Sequence, residues 1–101
     1  MTDKIKFKKL KNIAERIAEK PVNITSTTMF DAKDERKAVV TFNKSRVDIV
    51  INSLRIKSVE DVIEAISHEI AHVRIGSDKH NDEFAKLWNE LYSKIRVEYI
   101  A

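Results

Sequence analysis

With 101 residues, 43% of them apolar and 35% charged, the chain can build one domain around one small core and is too apolar to remain disordered. It has no cysteine, which excludes disulfides and thiolate metal sites, and no apolar run approaches the length of a membrane span. A net charge of +3 and a pI near 9.2 allow weak contact with nucleic acid, while a single glycine and a single proline amid many Ile, Lys and Glu residues lean toward a heat-adapted, thermophile source.

The first residues, Met1 to Phe7, carry charge but no apolar h-region, so a signal peptide is not expected and a cytoplasmic location is. From about Asp3 to Lys20, Leu10, Ile13, Ala14, Ile17 and Ala18 recur at helical spacing, and Pro21 stops the helix. Lys4, Lys6, Lys8, Lys9 and Lys11 crowd this end. Such a run usually marks a solvated helix face, and as a functional feature it would touch nucleic acid. Val22 to Phe30 is rich in Val, Ile and Thr and reads as a strand, followed by a polar loop over residues 31–35. Two more strands are expected, about Lys37 to Phe42 and Arg46 to Asn52, joined by the short turn Asn43-Lys44-Ser45.

Ser58 is placed to cap a helix whose first turn holds Glu60 and Asp61, and Gly76 stands where a left-handed C-cap residue is wanted. The polar link Ser77-Asp78-Lys79 leads to His80. A last helix follows, from about Asn81 to Tyr99, with Phe84, Leu87, Trp88, Leu91 and Ile95 as its apolar stripe. The expected fold is therefore α+β, a single domain over residues 1–101: an N-terminal helix, a small three-stranded antiparallel sheet, and two helices.

The helix after Ser58 contains His68-Glu69-Ile70-Ala71-His72. Histidines four residues apart share one face of a helix, so both imidazoles can reach one Zn²⁺. The intervening Glu69 stands beside that ion, where it can act on the hydrolytic water as a general base without being a ligand. Val59, Val62, Ile63, Ile66, Ile70 and Val73 define the core face of the helix, and His68 and His72 project nearly opposite it. A catalytic zinc takes three protein ligands and keeps one open position. His80 is the remaining histidine and the candidate third ligand, with Glu83 and Glu90 as alternatives. Arg74, Tyr92 and Tyr99 are available to support an oxyanion, with nothing in the sequence to choose among them.

The run His68-Glu69-Ile70-Ala71-His72, a glycine-containing link, and then His80-Asn81-Asp82-Glu83-Phe84 resembles the zinc site of the SprT, WLM and YgjP-like minimal zincins. The resemblance is good from His68 to Leu91 and only topological before it. Asn81 departs from the glycine those families often carry after the third histidine. The minigluzincins are similar in size and architecture but complete the site with a glutamate. This resemblance implies a zinc metallopeptidase, a hydrolase of the HExxH class, acting on unfolded or extended polypeptide bound along an edge strand, for which the Arg46–Asn52 strand is the expected candidate. It also suggests that the lysine-rich helix meets DNA-bound substrates. Two other classes stay open: a three-histidine zinc endoribonuclease resembling the YbeY family, which lacks the glutamate, and a non-catalytic module stapled by zinc. Control is expected from self-association or from the apolar tail Val97 to Ala101 folding over the cleft.

Overall fold

The first element of the computed structural model, which describes residues 5–76 and 80–101, is helix α1, Phe7–Ala18. Leu10, Ile13, Ala14 and Ile17 form its buried face, and Glu19 ends it in the left-handed region at φ 58°. Pro21 then turns the chain into β1, Val22–Thr27. The expected start of α1 near Asp3, Lys4, and the link Ser77-Asp78-Lys79 lie outside the described residues.

Strand β2 is Ala38–Phe42 and β3 is Val47–Asn52, joined by a turn in which Asn43 Oδ1 accepts from the N–H groups of Ser45 and Arg46 at 2.8 and 3.0 Å. The sheet order is β1-β3-β2, with β2 antiparallel to β3 and β1 parallel to it. The sheet is therefore mixed, which corrects the antiparallel expectation. The cause is burial. Val47, Ile49 and Ile51 of β3 are the most apolar strand face, and the central place lets that face pack between the facing residues of both neighbours. The Arg46–Asn52 strand is thus central and not the expected edge, and the two edges are β1 and β2.

Helix α2, Val59–Ile75, begins at Ser58, whose hydroxyl accepts from the Asp61 N–H at 3.4 Å, and ends at Gly76 with φ 74°. A single 3-10 turn, Ser53–Arg55, separates it from β3. Helix α3, Asp82–Ile100, is capped by Asn81, whose side chain accepts from the Phe84 N–H at 2.9 Å. Helices α1 and α2 cover one face of the sheet and α3 lies mainly along α2. As a result α2 is buried on two sides. Val62, Ile63, Ile66 and Ile70 sit in the core, while Phe84 and Trp88 of α3 cover its histidine-bearing face. Among the described residues no helix is long and apolar enough to cross a membrane.

Candidate metal centre

His68 and His72, one turn apart on α2, point to the same side, where His80 joins them from the residue before the Asn81 cap. The Nε2 atoms of His68 and His72 are 3.1 Å apart and those of His68 and His80 are 3.4 Å apart. One ligand atom from each of the three residues lies within 4.8 Å of the others. Tetrahedral nitrogen ligands at 2.0–2.1 Å from an ion stand about 3.3 Å from one another. The two short spacings match that geometry, so the donor set fits a divalent cation. Glu83 and Glu90 are exposed on α3 and are not part of this cluster.

An aromatic wall backs the three rings. Phe84 is buried and its ring centroid lies 5.0, 4.4 and 4.9 Å from those of His68, His72 and His80. It reaches them because the Asn81 cap starts α3 right after His80 and places Phe84 one turn further on. Burial, together with the other two imidazoles, pushes His68 down to about 4, so it is a neutral, ligand-ready imidazole at physiological pH.

Glu69 is 8% exposed and shares with the three histidines the wall of a cleft of about 880 Å³. Burial pushes its carboxyl up to about 7, with the charge of Arg36 acting in the opposite direction. The far wall of the cleft is β2 and the loop before it, including Arg36, Lys37, Ala38, Val40 and Phe42. Lys37 O accepts from Asn52 N–H at 2.8 Å, and Asn43 N–H donates to Arg46 O at 3.1 Å. In an antiparallel ladder this phase turns the amides of Val39 and Thr41 toward β3 and those of Ala38, Val40 and Phe42 toward the open edge.

The loop leading into β2 is pinned from below. Asn52, fully buried, donates its Nδ2–H to Arg36 O at 2.9 Å, and Arg55 donates to Asp34 O and Ala32 O at 3.0 and 2.8 Å. Arg36 lies in a fork on Asp34, with Nη2 to Oδ2 at 2.7 Å, which holds Asp34 down to about 2. Sequence reasoning did not single out Arg36. Its only local signal was a position just ahead of a strand. Arg74, Tyr92 and Tyr99 do not line the cleft, and the Tyr99 hydroxyl accepts from Lys6 N–H at 3.1 Å on the α1 side.

The last turn of α3 is also tied to α1: Lys9 Nζ donates to Ala101 O at 2.8 Å and Arg16 pairs with Glu98 at 2.7 Å. No residue of the tail Val97 to Ala101 lines the cleft.

Comparison of the chain with family models, with curated proteins and with solved structures finds no match in any of the three.

Proposed function

We propose that the protein is a zinc-dependent metallopeptidase, with His68, His72 and His80 as ligands and Glu69 as general base. The observation that carries this reading is the convergence of three imidazoles, with His68 at tetrahedral spacing from each of the other two, beside a buried carboxyl group on the wall of an open cleft. Zinc held there by His68, His72 and His80 would supply a Lewis acid for the scissile carbonyl and would lower the pKa of the attacking water.

Glu69 takes the proton of that water and delivers it to the leaving amine, a shuttle suited to a carboxyl whose pKa lies near the working pH. The open edge of β2 offers the N–H and C=O groups of Ala38, Val40 and Phe42 to an extended peptide, which would lie along the cleft opposite the histidines. Arg36, the guanidinium on that wall, is suited to hold a substrate oxygen. A purely structural zinc would favour a fourth protein ligand and a closed site; among the described residues this cluster has three ligand residues, and it borders the cleft. The resemblance to minimal zincins agrees with this reading. Nucleic-acid contact through the lysines of α1 is a lesser proposal, supported only by charge and by the exposure of Lys8 and Lys11.

The test is metal content, measured on wild type and on His80→Ala prepared identically. Near one zinc per chain in wild type and a sharp loss in the variant are expected. Full retention of zinc in His80→Ala would move the third ligand elsewhere, and no zinc uptake by wild type would remove the metal centre and the enzyme together.

A further inference from the structure

Trp88 is the only tryptophan of the chain and lies on α3 at the edge of the cleft. Its indole N–H donates to Ser67 Oγ at 3.0 Å and to Glu64 O at 3.2 Å. Ser67 is fully buried, and its hydroxyl donates to the same Glu64 carbonyl at 3.0 Å. Two polar side chains are thus committed to each other and to one backbone oxygen, in the turn of α2 just before His68. Packing alone does not ask for this, since Phe and Ala fill such space without having to satisfy a buried N–H and O–H.

The indole also meets the His68 ring edge to face, with centroids 4.7 Å apart and planes at 88°. Phe84 meets that ring at 5.0 Å and 76°. His68 is the hub of the cluster, because its Nε2 makes both of the short spacings, to His72 and to His80. Rotation about the terminal side-chain bond of histidine is soft, and a ring turned out of this plane aims Nε2 away from the other two ligands. Packing of the indole and of Phe84 from α3 fixes the plane of the ring.

We propose that Trp88 is a positioning residue for the metal site: anchored to Ser67 and Glu64, its indole holds the His68 imidazole in the ligating orientation. The inference rests on the reading of the three histidines as a zinc site. It goes beyond that reading by assigning the pre-organisation of the site to a hydrogen-bonded pair between α2 and α3.

Trp88→Phe keeps a ring and loses both indole hydrogen bonds, and Ser67→Ala removes one acceptor while the indole stays. Zinc affinity, measured by competition with a chelator of known strength, is expected to weaken by about 10-fold in Trp88→Phe and less in Ser67→Ala. The visible absorption of the cobalt-loaded protein should shift in the same order, because those bands report ligand geometry. Ile95→Val, a mild lesion at a fully buried position of the same helix, should lower the melting temperature and leave zinc affinity and the cobalt spectrum unchanged. Wild-type zinc affinity in both Trp88→Phe and Ser67→Ala, with only the melting temperature lowered, would overturn the proposal and leave the metal centre standing. Should Trp88→Phe fail to fold, Ser67→Ala alone decides between these outcomes. Failure of the wild-type protein to take up zinc would overturn the metal centre and this proposal with it.

Discussion

The two walls of the cleft are built by different kinds of order. The histidine wall is local: His68, Glu69 and His72 share one helix, and His80 is placed by the cap of the next. The strand wall is non-local. The open edge of β2 exists because β3, later in the chain, takes the centre of the sheet, and Arg36 is held by Asn52, its backbone pinned through a side chain sixteen residues on. The wall assigned to chemistry is thus specified by short-range spacing, and the wall assigned to substrate by long-range pairing. Lesions in the two should separate catalysis from binding.

The largest separation is expected from Glu69→Gln. The amide keeps the size of the side chain and cannot take a proton, so turnover should fall by about 1,000-fold while zinc content is unchanged. Hydrolysis of an unfolded protein substrate by the zinc-loaded variant checks this. Retained turnover would take the base from Glu69 and with it the mechanistic asymmetry between the walls.

On the other wall, two adjacent prolines divide structure from substrate. Val39→Pro removes an N–H that belongs to the β3 ladder and leaves its acceptor unpaired, which should cost about 1–3 kcal/mol of stability, seen as a lower melting temperature. Val40→Pro removes an N–H on the open side. It should cost less stability and raise KM by about 2- to 10-fold, the worth of one backbone hydrogen bond to a bound peptide. Equal KM in wild type and Val40→Pro would mean that substrate does not pair with this edge.

The same division explains what was legible from sequence. The helix α2 was readable at both ends, since Ser58 and Gly76 are local start and stop signals and the apolar stripe repeats at helical spacing. The gathering of His80 with the α2 histidines was legible because two histidines spaced to share a metal call for a third ligand and His80 is the remaining histidine of the chain. Strand positions were legible as well, and the hairpin turn at Asn43 held. Sheet order was not, because nothing in the Thr-rich Val22–Thr27 segment or in Ala38–Phe42 records which of them lies at which side of β3. The covering of the histidine face was hidden for a related reason. His68 and His72 lie off the core stripe, and the wheel alone gives no sign that Phe84 and Trp88 would enclose them. Arg36 was missed because its importance lies in Asn52 and Asp34, and a charged residue in a polar loop carries no mark of that support.

The smallest expected effect concerns pH in the metal-free protein, where the histidine wall holds two opposed titrations. The His68 pKa is pushed from 6.5 down to about 4, so between those values the unfolded chain binds the extra proton and stability rises with pH. The Glu69 pKa is pushed from 4.5 up to about 7, so in that window the folded chain holds the extra proton and stability falls as pH rises. Between pH 4.5 and 6.5 the slopes have opposite sign and similar size, and the melting temperature of the metal-free wild type should be nearly flat. Glu69→Gln removes one slope and exposes the other. Its melting temperature should rise across the same interval by a few degrees, on the order of 1 kcal/mol after allowance for the half-exposed position of His68. The comparison is sharpest against a substitution on the strand wall: Val40→Pro, which touches neither group, should leave the profile flat. A sloping wild-type profile, or a Glu69→Gln profile that stays flat, would show that burial does not set these two groups against each other.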